Sequence, residues 1–264
     1  MKQPDSNKTL VTELPALRID GSIAWITLRR SQHQNRLQDE DLSCLLRHFE
    51  RLDADRSVRI VVLQAEVRAD RPVFSAGYHI GEFGSSGPKP DFEAVMNALE
   101  ALRPVTVCAL NGAIYGGATD IPLSCDLVIA AADIQMQMPA ARLGLHYYPQ
   151  GLRRYVSRIG LRSAKLVFLT ARAFDAQALL RMNYVHEVVD RYALPGRVQD
   201  IATEIAELSP LAVQSLKKSL NEIAGGRADE AVLAGRADAS MNSLDFAEGR
   251  AAFAQKRKPV WTGR

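Results

Sequence analysis

One run constrains the chain more than any other. VRIVVLQAE, residues 58–66, is apolar almost without a break and rich in β-branched side chains, the composition of a strand covered on both faces. The stretch before it, QDEDLSCLLRHFERLDAD, spaces Leu42, Leu45, Leu46, Phe49 and Leu52 along one side of a helix. An acidic first turn suits the positive end of that helix. Further upstream, LPALRID and GSIAWITLRR flank Gly21 and predict a hairpin. Strand, helix and buried strand make a parallel-sheet unit.

The alternation recurs, with a helix expected at about 91–103, a strand at PVTVCAL, a helix after Gly117 and a strand at DLVIAA. From residue 193 the pattern changes. ALPGRVQDIATEIAELS, PLAVQSLKKSLNEIAGG and DFAEGRAAFAQKRK read as successive helices with no strand between them. The expected organisation is a polar, flexible N-terminus over 1–14, an α/β core over 15–192 and a helical region over 193–264. Gly84 to Pro90 reads as a flexible loop.

Composition narrows the function classes. The 264 residues are 47% hydrophobic and 24% charged with a net charge of +3, values of an ordinary globular protein. Lys256, Arg257 and Lys258 form a short basic ending, too little for a nucleic-acid tail. Cys44, Cys108 and Cys125 lie far apart among apolar neighbours, as reduced core thiols do, without the spacing of a disulfide framework or a metal site. The N-terminus has no apolar targeting segment and no stretch reaches the ~18 apolar residues of a membrane span. A cytoplasmic location is the expectation.

Two glycine-bearing segments carry the chemistry. Phe74-Ser75-Ala76-Gly77-Tyr78-His79-Ile80 follows the first buried strand, and small residues there let a ligand approach the backbone. Asn111-Gly112-Ala113-Ile114-Tyr115-Gly116-Gly117-Ala118-Thr119-Asp120 follows PVTVCAL and opens a helix. N–H groups at a helix start lack intrahelical partners and can hold a developing oxyanion. Pro122, within the first turns, fits a start near 117 because its missing N–H costs little there.

In order and spacing these segments resemble the crotonase superfamily, the enoyl-CoA hydratase/isomerase family. The resemblance extends through LRRSQHQNRL, FSAGYHI, ALNGAIYGGATD, SCDLVIA, MPAARLGL, LTARAFDAQALLRMNYVHEVV and EGRAAFAQKRKPVWTG. It implies an α/β spiral of repeated ββα units with a helical C-terminal trimerisation region, assembled as a homotrimer or hexamer. It also implies an acyl-CoA substrate, with coenzyme A as part of the substrate and no separate cofactor. The oxyanion hole would be the N–H groups of Tyr78 and Gly117, each worth roughly 3–4 kcal/mol of transition-state stabilisation.

The resemblance is incomplete at the acid–base positions. Where hydratases of the family carry two glutamates, this chain has Asp120 and Ala140. Alanine moves no proton, and one positioned acid–base group is worth about 10²–10⁴ in rate. Asp120 is the leading catalytic side chain, with Tyr147, Tyr148, His146 and His79 as replacements for the missing partner. LGLHYYPQG resembles a segment of methylmalonyl-CoA decarboxylase relatives that bears a tyrosine, which points to Tyr147.

By the same resemblance, Gln32, His33 and Gln34 of the early turn, with Ala76, Tyr78, His79 and Ile80, contact CoA, and Phe253 and Lys256 reach an acyl-CoA from the terminal helix. Asp126 and Asp133 read as strand-end hydrogen-bonding residues. Arg142, Arg153 and Arg154 read as a mainly solvated basic group. Three functions stand open: hydration using Asp120, isomerisation or decarboxylation using one acid–base group or a tyrosine, and CoA-ester binding without catalysis.

Overall fold

The computed structural model describes residues 13–78 and 91–264. The predicted hairpin forms from β1 (Ala16–Asp20) and β2 (Ile23–Leu28), which pair antiparallel across Gly21. Helix α1 (Asp39–Ala54) crosses back to β3 (Ile60–Ala65), which lies parallel to β2. A capping box starts α1: the Gln38 N–H donates to Asp41 Oδ2 at 2.9 Å, and the Gln38 side chain accepts from the backbone N–H of Asp41. Leu42, Leu45, Phe49 and Leu52 are buried against the sheet, each contributing about 1.5–3 kcal/mol by leaving water.

The next turns of chain are built alike. β4 (Val73–Ser75) and α2 (Phe92–Ala101) follow β3; β5 (Val105–Leu110), β6 (Ala113–Tyr115) and α3 (Asp120–Ser124) come next; β7 (Leu127–Ala131), β8 (Gln135–Gln137) and α4 (Pro149–Thr170) complete the series. In each unit a long strand joins one sheet and a three-residue strand joins another. After β9 (Ala173–Asp175), α5 (Ala176–Arg181) and β10 (Glu187–Val189), the large sheet has the order β1-β2-β3-β5-β7-β10 and the small one β4-β6-β8-β9. Both are parallel except at β1 and β9.

The short strands correct one detail. The glycine segments were expected directly after the two long strands, whereas β4 runs into the first and β6 runs through the second. Three residues are too few to show the alternation that marks a strand in sequence.

The C-terminal region is helical, with α6 (Leu194–Ala206), α7 (Pro210–Ala224), α8 (Glu230–Met241) and α9 (Leu244–Ala254). Helix α6 lies on β3, β5 and β7 and buries Leu194, Val198 and Ala202 in the main core. Helix α7 is tied to the sheet by Lys217, whose Nζ reaches Asp126 Oδ2 and the Pro104 carbonyl, each at 2.7 Å. All three cysteines are free and buried. Asp126 also accepts from the Thr106 N–H and hydroxyl, and Asp133 pairs with Arg191, so both aspartates serve strand ends as expected. Among the described residues no helix is long and apolar enough to cross a membrane. The expected flexible stretches fall mainly outside the described residues: 1–12 of the N-terminus and all of Gly84 to Pro90.

Candidate active site

The site forms where β4 and β6 end side by side. Gly77 has a φ of +94°, a conformation that L side chains rarely adopt, and a Cβ there would stand 2.8 Å from the Tyr115 carbonyl oxygen. Glycine therefore lets the two strand ends touch. Ala76 N–H donates to the Gln34 carbonyl at 2.8 Å and Leu37 N–H to the Gly77 carbonyl at 2.9 Å. The early turn thus supports the first segment through backbone bonds. Asn35, 1% exposed, ties that turn down by donating to the Glu66 and Val73 carbonyls at 2.8 and 3.1 Å.

The second segment passes from β6 into a 3₁₀ turn over Gly116–Thr119 and then α3. The helix start expected near Gly117 is therefore a tighter turn with α3 behind it, and Pro122 is the third residue of α3. Thr119 anchors the turn: its hydroxyl donates to the Gly116 carbonyl and accepts from Tyr155 Oη, while its carbonyl accepts from Tyr184 Oη, all at 2.6 Å. A Cβ on Gly117 would lie 3.9 Å from the Tyr78 nitrogen and 3.6 Å from the Phe92 ring. The two backbone segments expected to supply oxyanion donors thus face one another, beside an aromatic wall.

Behind them sits a buried polar network. Asp120 is 0% exposed and Arg154 3%. Arg154 Nε donates to Oδ1 and Oδ2 at 3.1 and 3.0 Å, and Nη2 to Oδ2 at 2.6 Å. Nη1 of Arg154 reaches Asn97 Oδ1 at 2.8 Å and Glu100 Oε2 at 3.3 Å. Burial disfavours the guanidinium charge, but the Asp120 carboxylate outweighs that penalty and holds Arg154 more firmly protonated than an ordinary arginine. Tyr148 Oη donates to Asp120 Oδ2. The Tyr147 hydroxyl is 3.2 Å from the Gly117 carbonyl and 3.3 Å from Tyr148 Oη. Burial, then the nearby Asp120 charge, raises both phenols well above the usual tyrosine range.

Asp120, Tyr147, Gly117 and the Tyr78 backbone are therefore together. Gln34 and Ala76 touch the same corner through backbone, whereas Gln32 accepts from Arg68 at 2.9 Å and His33 ends a short 3₁₀ turn. His79 and Ile80 lie outside the described residues. Phe253 and Lys256 are exposed on and after α9, and Phe253 lines a recess with Phe246 and Trp261. His146, Arg142 and Arg153 are exposed. Ala140 is 4% exposed, at the start of a 3₁₀ turn.

Arg154 departs from the expectation of a solvated basic group. Pro149 opens α4, and Gly151, Arg154, Tyr155 and Ile159 share its buried face, so helical spacing carried a signal for its burial. Phe92 was not foreseen at the site. Its ring stands between those of Tyr78 and Tyr148, with centroids at 6.1 and 5.9 Å.

The fold and the two facing backbone segments define a crotonase-type enzyme. The chain resembles a crystal structure of enoyl-CoA hydratase from Bacillus anthracis with a TM-score of 0.84, at 24% identity, over 95% of this chain and 99% of that one. The enoyl-CoA hydratase/isomerase family model matches residues 18–264, and the chain belongs to that family. It is 29% identical to a probable mitochondrial enoyl-CoA hydratase of Arabidopsis thaliana, over 92% of this chain and 83% of the relative. The same identity relates it to a probable enoyl-CoA hydratase of Mycobacterium tuberculosis, over 93% and 96%. It is an acyl-CoA-processing enzyme of hydratase, lyase or isomerase type.

Proposed function

We propose that the enzyme adds water across the double bond of a 2-enoyl-CoA, or removes it from the hydroxyacyl product. The thioester oxygen would lie between the N–H groups of Tyr78 and Gly117, which stabilise the enolate formed as the β-carbon is attacked. The observation that carries this reading is the apposition of these segments, 3.9 Å from the Tyr78 nitrogen to the Cβ position of Gly117, with an acid–base network directly behind. No cofactor beyond the CoA of the substrate is required, and the reading makes the protein a cytoplasmic homotrimer or hexamer without nucleic-acid partners. Exposed Leu216, Leu220, Ile223, Phe246 and Phe253 on the C-terminal helices support self-association.

The test is loss of conjugated-thioester absorbance with short, long and branched 2-enoyl-CoA esters. Turnover with at least one class is expected, and Asp120→Asn lowers it by about 10² or more. No turnover with any class overturns hydration. One observation favours a second reading, isomerisation or decarboxylation: Ala140 supplies no acid–base group, while two phenols lie beside the proposed hole. Movement of the double bond or release of CO₂ without hydration would select it.

A further inference from the structure

Asp120 has no exposed surface, whereas Tyr148 keeps part of its surface exposed and packs between Asp120, which accepts from its hydroxyl, and the Phe92 wall. Phe92, the ring that Tyr148 packs against, lies 3.6 Å from the Cβ position of Gly117, so of the two hydrogen-bonded groups the phenol is the one on the side of the oxyanion segments. Gly151 permits this placement, since a Cβ there would fall 2.4 Å from the Tyr147 ring and 2.7 Å from the Tyr148 ring. Resting on the hydration reading, we propose that Tyr148 is the catalytic proton carrier, that Asp120 receives and returns its proton, and that Arg154 positions Asp120.

The proton count closes without another residue. Water oxygen bonds to the β-carbon, and the π electrons move to the thioester oxygen as an enolate. The proton lost by water passes to Tyr148 Oη while the phenol proton passes to Asp120 Oδ2. With Arg154 still cationic, the buried pair goes from net neutral to net positive, a state of higher energy that drives return. Asp120 then reprotonates Tyr148 as the phenol gives its proton to the α-carbon, and the carbonyl re-forms. One molecule of water has been added and both side chains are restored. A single relay thereby does the work of two carboxylates, in a chain that has alanine at 140.

The test compares wild type, Tyr148→Phe and Arg154→Lys in two assays: hydration of 2-enoyl-CoA esters, and deuterium incorporation from D₂O at the α-carbon of butanoyl-CoA. Tyr148→Phe should lose about 10²-fold or more in kcat in both assays while butanoyl-CoA binding, measured by calorimetry, changes by less than threefold. Arg154→Lys should lower kcat with KM held, because lysine cannot reproduce the guanidinium's planar fork. Exposed Tyr192, mutated to Phe, should match wild type in both. Tyr148→Phe within threefold of wild type overturns the relay and leaves hydration standing. Tyr148-dependent exchange without hydration in wild type removes the hydration reading and retains the Tyr148 role. Absence of both in wild type overturns both.

Discussion

At the scale of single residues, the two glycines of the site separate folding from chemistry. Gly77→Ala forces a Cβ to within 2.8 Å of a carbonyl at positive φ, and we expect a loss of about 1–3 kcal/mol or more in chemical denaturation. Gly117→Ala has room, its Cβ meeting Phe92 and the Tyr78 nitrogen at 3.6 and 3.9 Å. That methyl enters the space proposed for the thioester oxygen, so stability should stay near wild type while kcat/KM falls by about 10²-fold, the worth of one lost donor. Arg154→Met strands the Asp120 carboxylate without its partner, and a cost of about 3–5 kcal/mol is expected by urea titration. These roles were unequally legible in sequence. The glycines at 77 and 117 marked the two segments, and it was the order and spacing of both segments, not either one alone, that pointed to the site. The Asp120–Arg154 pair joins residues from different helices, and only the packing of α4 on α3 brings them together.

At the scale of elements, long strands and amphipathic helices were readable because their periods repeat over many residues. Helix α4 was harder to read: the spacing of Gly151, Arg154, Tyr155 and Ile159 is helical, but the chain is interrupted at Gly160, whose φ of +76° breaks the helical path, so the stripe is not continuous. The C-terminal segment after α9 is held by two carboxylates on that helix. Asp245 accepts from the Thr262 and Gly263 N–H groups at 2.8 and 3.0 Å. Glu248 accepts from Arg257 at 2.5 and 2.8 Å and from the Val260 N–H at 2.7 Å. Arg257 foremost, then the Val260 N–H, lowers Glu248 from its usual 4.5 to about 2. Its carboxylate is favoured in the folded state, so the anchoring is complete above pH 4.5 and is lost as pH falls toward 2. Trp261, which donates to the Glu207 carbonyl at 2.6 Å, reports this. Its fluorescence should shift on acidification before the core unfolds, and Glu248→Gln should show part of that shift at pH 7.

At the scale of the whole molecule, the C-terminal helices leave large apolar side chains uncovered, with Leu220 62% and Phe253 89% exposed. In the assembly we propose, Leu220→Asp combined with Phe253→Asp should shift sedimentation from trimer or hexamer toward monomer. Unchanged sedimentation would place the interface elsewhere. The sequence marked this region as helical, but which helix faces stay uncovered depends on how α7 to α9 pack, and periodicity does not reveal that. Helix α6, by contrast, is a layer of the core. This has a consequence for the growing chain on the ribosome. Among the described residues every strand, and the helix that closes over β3, β5 and β7, has been synthesised by Ala206, so the core can condense before the apolar arm exists. The surface most prone to aberrant association is then made last, which shortens its exposure before a second copy is met.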